Sequence, residues 1–280
     1  WKMKRKITKR RIWGFIGRVY VIIFERALTN SKWFNPFATL YLNLRCVPLK
    51  QALRLPIFVY GRPKFFSTFG HIRFPEGCRM GMVHFNESVT GGPQCEVGNS
   101  ELNLWGTIIF RGKCSIGTSN KICVGEQGVL DLGAETRIAI FCNVTAYCKV
   151  VVGYHSRIVH RCQVFDTSYH YTADLRHGEG RVRNMARPII IGDYCWICNS
   201  STISAGVTIP NRTIVASNSL VSKDMASIPE ESLIGGIPAK LLFTGIVRVE
   251  KHLSDIFWYF KDNPEQEVFT FPLEQKNEFI

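Results

Sequence analysis

Residues 191–224 read IGDYCWICNSSTISAGVTIPNRTIVASNSLVSKD, and Ile191, Ile197, Ile203, Ile209, Val215 and Val221 fall on every sixth position. A helix repeats near 3.6 residues and a strand at 2, so neither explains this spacing. A period of six fits a chain that makes a short strand, turns, and repeats three times in a coil of about 18 residues. The residue opening each hexapeptide points inward and must be apolar and preferably branched. Small or turn-forming residues carry the chain round the corners: Gly192, Asp193, Ser204, Ala205, Gly206, Pro210, Asn211, Ala216 and Ser217. Stacked coils bury the apolar column and pair every strand with the coils above and below, whereas one coil has no stability alone.

The rhythm continues upstream with two-residue offsets, through Leu104, Phe110 and Ile116, then Leu132, Ile138, Val144 and Val150, then Val152, Ile158 and Val164. A β-sandwich of short strands would not hold six registers from 191 to 221 without a slip. The expected fold is mainly β, a parallel β-helix of six or seven coils over about residues 95–238. Three regions follow: a basic, partly helical arm at 1–65, the β-helix domain at 66–240, and a C-terminal helix and tail at 241–280.

The formal net charge of +13 is unevenly placed: residues 1–64 hold 15 Lys/Arg and one acid, and the other 216 hold 20 basic and 21 acidic residues. A basic arm on a neutral body fits docking to a polyanion such as an anionic leaflet, whereas a nucleic-acid binder would be basic over its surface. Seven of the first eleven residues are basic, and Ile12, Phe15, Ile16, Val19, Ile22 and Ile23 follow at helical spacing. The apolar run is shorter than the ~20 residues of a spanning helix, and LTNSKW makes a poor cleavage site. Residues 1–30 therefore read either as an amphipathic helix in the membrane interface or as a helix packed on the body or on a neighbouring subunit. Pro48, Pro56 and Pro63 punctuate a second short helix and an extended entry to the main fold.

Ten cysteines lie mostly inside apolar runs, without the spacing of a disulfide scaffold, and read as reduced core residues of a cytoplasmic protein. Cys195 and Cys198 form one CxxC, with no second CxxC or His pair suited to zinc.

Several stretches resemble the hexapeptide-repeat acyltransferases, which are left-handed parallel β-helices. WICNSSTISAGVTIP resembles that family's tryptophan-containing coil, VSKD followed by IGGIPAKLLFTG its closing segment, and DTSYHYTAD the loop of its sugar and polysaccharide O-acetyltransferase branch. The resemblance spans about residues 70–248 and is most specific in its last third. Cys198, Ser204, Pro210, Ala216 and Ser222 depart from it where glycine commonly follows the coil-opening residue.

The period breaks once in the C-terminal half. After Val164 it resumes only at Ile191, and the intervening residues, DTSYHYTADLRHGEGRVRNMARPII, are polar and Arg-rich. A loop extruded at 166–188 from a rigid prism is a place for reactive groups. The resemblance implies transfer of acetyl from acetyl-CoA to a sugar hydroxyl in surface polysaccharide or glycolipid synthesis, with no metal. Such a hydroxyl needs a base as it attacks, and histidine is the usual one near neutral pH. His170 takes that role by resemblance, with Asp166 or a backbone carbonyl holding its other ring nitrogen, and His177 is the second candidate. The resemblance also implies a donor site at Ser204 and Ala205, with Ser222 and Lys223 one coil on. Trp196 either walls the thioester end or merely packs, and Lys223 and Lys240 either meet the nucleotide phosphates or are simply solvated.

The implied partners are a sugar or lipid-linked saccharide acceptor and two further copies of the chain in a homotrimer, with the arm at the inner face of the membrane. Ile256, Phe257 and Phe260 are expected on one face of a helix near 250–262, capping the prism's open end or reaching a neighbour. Two alternatives remain. His155 and His160, spaced as H-x4-H, resemble the metal-binding coil of γ-class carbonic anhydrases, although GTSNKICVG lacks the third histidine. The other is a non-enzymatic β-helix scaffold.

Overall fold

The computed structural model describes residues 33–87, 98–176 and 178–280, so the expectations for residues 1–30 and for His177 lie outside the described residues. Seven successive coils build three parallel sheets. The first sheet takes the opening strand of each coil, from Ile57–Val59 through Cys114–Gly117 and Arg157–Ile158 to Ile214–Val215. The second runs from Lys64–Thr68 to Leu220–Val221 and the third from His71–Arg73 to Thr208–Ile209. Helix α1 (Pro36–Cys46) and the single turn α2 (Leu49–Ala52) precede the first coil, and α3 (Leu253–Asp262) follows the last.

The six residues that set the period are fully buried and stack three by three. Ile191 pairs with Ile209, Ile197 with Val215 and Ile203 with Val221, each 18 positions apart. Upstream strands are longer and carry two inward residues each, as in Leu102 with Leu104 and Leu130 with Leu132. That second inward position produces the two-residue offsets. It also hid the first two coils, whose corners vary in length, so the strands begin at Ile57 rather than near residue 95.

At two of the three corners a small polar side chain sits two residues before the inward one and is buried. Ser100, Asn120, Cys142, Cys162, Ser201 and Ser219 occupy one such column. Most donate to a corner carbonyl of the following coil: Asn120 Nδ2 to Ala139 at 2.7 Å, Cys142 Sγ to Val159 at 2.9 Å, Cys162 Sγ to Cys198 at 3.1 Å and Ser201 Oγ to Ala216 at 2.9 Å. A second column repeats the device with Cys114, Thr136, Ser156 and Cys195. A buried carbonyl left unpaired costs about 1–3 kcal/mol, so each donor serves as a hinge pin between coils. Four buried cysteines thus have a hydrogen-bonding post beyond the filling role that the sequence suggested.

Helix α1 closes the first end of the prism. Asn35 caps it by accepting from the Ala38 N–H at 2.9 Å, and Pro36 opens it. Leu42 and Cys46 face the core, while Asn43 and Thr39 satisfy the edge of the first strand: the Ile57 N–H donates to Asn43 Oδ1, Asn43 Nδ2 donates to the Ile57 carbonyl, and the Val59 N–H donates to Thr39 Oγ1. Covering an edge strand in this way blocks further pairing. At the far end the strands Ser232–Gly236 and Ala239–Thr244 turn back as an antiparallel hairpin through the PAK segment.

The C-terminal tail then folds back along the corner that precedes the first sheet. Arg248 Nη2 donates to the His155 carbonyl at 2.8 Å, Glu250 meets His155, and Lys276 pairs with Glu231 at 2.6 Å. Ile256 and Phe260 are half-buried, but Phe257 is 62% exposed and does not share their face. The hairpin and not α3 follows the last coil, because the tail is drawn down the prism's side by these ion pairs.

Ile203→Ala should lower unfolding stability by ~2–5 kcal/mol in chemical denaturation, as a cavity in an unrelaxed ladder requires. Its outward neighbour Thr202→Ala should stay within about 0.5 kcal/mol.

Candidate functional site

The insertion at coil five is an ordered arm. Ile158 pairs with Ile197, 39 positions on, where Ile197 itself pairs with Val215 at 18. After Gln163–Phe165 the chain leaves the second sheet, forms an antiparallel pair of Ala173–Asp174 with Arg181–Val182, and rejoins the third sheet at Ile189–Ile191. The base is pinned shut by the Arg187 N–H to the Asp166 carbonyl at 2.8 Å and the Ser168 N–H to the Met185 carbonyl at 3.0 Å. The returning segment rests on Gly206, which faces the Arg187 guanidinium and whose φ of +83° favours glycine.

Asp166 stands at this base and is fully buried. Its carboxylate accepts the Tyr147 N–H at 2.8 Å and the Cys148 N–H at 2.7 Å, both from the corner of the preceding coil. Burial pushes its carboxyl above the usual carboxylate range, and the backbone donors of Tyr147, Cys148 and Lys149 pull it partly back. Both carboxylate oxygens of Asp166 are therefore engaged with the scaffold, and what it orients is the arm.

His170 lies four residues out along the arm and is exposed, with Ser168 Oγ donating to its backbone carbonyl at 2.8 Å. Tyr169 just before it has φ +58° and places its hydroxyl 3.2 Å from Thr145 Oγ1. Its ring meets Tyr147 edge-on at 5.4 Å. Tyr169 was not singled out from sequence. Its only signal there was its place beside the histidine, because its partners lie more than 20 residues away.

The structure stacks several expected donor-site residues along one edge. Phe165 pairs with Ser204, and Thr202 and Ile203 pair with Leu220 and Val221 one coil on. Asp166, then Ser204 and Ala205, then Ser222 and Lys223 thus follow one another at the corner between the second and third sheets, with Ser222 and Lys223 exposed. Trp196 and Lys240 are not part of this column. Trp196 pairs with Arg157 and Ile214 in the first sheet, and Lys240 lies in the closing hairpin.

Two grooves open on the other side of the arm base, toward the first coils. One of about 300 Å³ runs over the outer face of the second sheet, lined by Phe66, Asn103, Cys123, Asn143, Thr145 and Tyr169 among others. The other, about 600 Å³, lies under the returning arm between Trp105, Tyr147 and Met185. His170 lines neither.

The paired histidines of the carbonic anhydrase alternative are not brought to one place. His155 precedes the strand Arg157–Ile158, its Nε2 lying 2.8 Å from the Glu250 carboxylate, while His160 follows that strand at the next corner. Among the described residues no group of three or more His, Cys, Asp or Glu is arranged to hold a metal ion. Burial pushes the Cys195 thiol up to about 12 and the Cys198 thiol up to about 11, so neither is a thiolate at neutral pH.

No family model matches the chain. It is 26% identical over 179 residues to WbbJ of Escherichia coli K12, named for O-acetyl transfer in lipopolysaccharide biosynthesis, covering 64% of this chain and 80% of that protein. It is 29% identical over 113 residues to WcaF of the same organism, named for acetyl transfer in colanic acid biosynthesis, covering 40% of this chain and 57% of WcaF. Among solved structures, the polySia-specific acetyltransferase NeuO is 20% identical, with 77% of this chain and 91% of that chain covered and a TM-score of 0.43. The hexapeptide-repeat acetyltransferase VCA0836 of Vibrio cholerae is 27% identical, with 47% and 69% covered and a TM-score of 0.37. The chain is thus similar in sequence to proteins named for acetyl transfer in polysaccharide biosynthesis, and its stacked coils form a parallel β-helix.

Asp166→Ala would leave the Tyr147 and Cys148 amides without their acceptor. It should cost about 1–3 kcal/mol in denaturant unfolding and expose residues 166–188 to limited proteolysis, with Asp166→Asn losing less.

Proposed function

We propose that the protein is a CoA-dependent O-acetyltransferase that moves an acetyl group from acetyl-CoA to a sugar hydroxyl in surface polysaccharide or glycolipid biosynthesis. The relatives WbbJ and WcaF, named for such steps, support the class of reaction. The observation that carries the reading is the ordered arm, which bears an exposed histidine and whose base borders two grooves of polar and aromatic side chains.

His170 is the general base. Its imidazole takes the proton from the acceptor hydroxyl as that oxygen attacks the acetyl carbonyl. The C–S bond then breaks, and the sulfur of CoA leaves with the proton that the imidazole carries. Tyr169, held through Thr145, fixes the backbone from which His170 projects. The donor's pantetheine lies along the edge of Ser204, Ala205 and Ser222, and Lys223 meets its phosphates, a role for which a flexible ammonium is suited. Trp196 and Lys240, on the first sheet and closing hairpin, reach a donor only from a neighbouring prism. That placement supports a homotrimer in which the site is completed between copies.

The acceptor is a sugar or lipid-linked saccharide in the grooves below the arm. The basic residues 1–30 hold the enzyme at the inner face of the membrane, and no described helix is long and apolar enough to cross it.

His170→Ala should reduce kcat for acceptor-dependent thiol release from acetyl-CoA by about 100-fold or more, with little change in KM for the donor. Full activity in the variant would remove His170 from the mechanism.

A further inference from the structure

The face of α1 turned away from the prism is apolar and uncovered among the described residues. Thr39, Leu42, Asn43 and Cys46 are spent on the first coil, yet Phe37 is 83% exposed, Leu44 55% and Leu40 46%. These three recur at i, i+3 and i+7, one stripe of the helix. Leu49 and Leu53 of the neighbouring turn extend it, at 67% and 72% exposed. A soluble surface rarely groups large apolar side chains in this way without a use for them.

The charge around the stripe decides which partner it fits. Residues 26–75 contain no Asp or Glu. Arg45, Lys50 and Arg54 are exposed beside the stripe, and the Arg45 guanidinium lies 5.5 Å over the exposed Phe69 ring. An apolar stripe flanked by these cations is the pattern of an element lying in the headgroup layer of an anionic bilayer.

We infer that the α1–α2 cap is itself a membrane-docking surface, inserting Phe37, Leu40, Leu44, Leu49 and Leu53 into an anionic leaflet. The inference rests on this cap and stands apart from both acetyl transfer and the binding of residues 1–30. Because α1 covers the open end of the prism, the coils rise from the lipid surface. Strands of one sheet are about 4.8 Å apart, so the arm, four coils up, sits roughly 20 Å above the membrane. An acceptor built on a lipid would then be reached several sugars out from its anchor.

The test is flotation of the full chain with vesicles of phosphatidylglycerol and phosphatidylcholine. Phe37→Glu with Leu44→Glu should reduce the bound fraction at least tenfold with an unchanged circular dichroism spectrum, and vesicles of phosphatidylcholine alone should bind far less of the parent. If the double variant fails to fold, Phe37→Ser with Leu44→Ser should show the same loss. Undiminished binding in a folded variant overturns the proposal, as does equal binding to neutral vesicles. Replacement of Lys2, Lys4, Arg5, Lys6, Lys9, Arg10 and Arg11 by Gln separates the arm: if that alone abolishes flotation while the α1 variant binds normally, the cap is not the docking surface. A lower molar mass by light scattering, in an α1 variant that still floats, would make the stripe a contact between copies and also overturn the proposal.

Discussion

The constraint on which this molecule depends is the transfer of hydrogen bonds from each coil to the next. Straight segments meet it through parallel pairing, but corners leave carbonyls turned inward at the bends. Two columns of Ser, Thr, Asn and Cys side chains answer them, most donating to the following coil. A buried acceptor without a donor is costly, so these columns limit how far a corner can vary. The apolar ladder supplies the driving force for stacking, and the corner donors supply the register at which it happens.

The arm shows how the same rule admits an insertion. Extra chain can leave the prism only if the corner it vacates is otherwise satisfied and the next strand returns in register. Asp166 meets the first condition by accepting the amides of Tyr147 and Cys148, and the hydrogen bond from Arg187 to its carbonyl meets the second. A rigid base then carries a histidine outward, flanked by Tyr169 in a conformation that its contact with Thr145 holds. Precision at the site is thus inherited from coils four and five rather than built within the arm.

The two ends of the prism solve the edge problem differently. The last coils end in an antiparallel hairpin, and the first lies under α1, whose Asn43 and Thr39 bond to the edge strand. With one face of α1 committed to that task, its opposite face is left to solvent or to a partner. The tail, held to His155 and Glu231, runs along a side of the prism.

The sequence by itself determined the stacked coils, because an inward residue at every sixth position is a local pattern that only one kind of coil satisfies. It also located the arm, as the one long polar break after Val164. Tertiary structure alone decided the rest. The pattern Ser, Thr or Cys two places before a branched residue was written in the chain, but its meaning needed the carbonyl of the next coil, about 18 residues on. Asp166 is one of the two groups that the resemblance offers, beside a backbone carbonyl, to hold the other ring nitrogen of His170. It turned instead to amides 18 and 19 residues back, since burial at the arm's base makes those donors the nearest and most needed. Trp196 and Ser204, close in sequence, separated onto different sheets because each corner rotates the chain to a new face. Sequence spacing records distance along the coil, and a stacked prism places residues by their position around it.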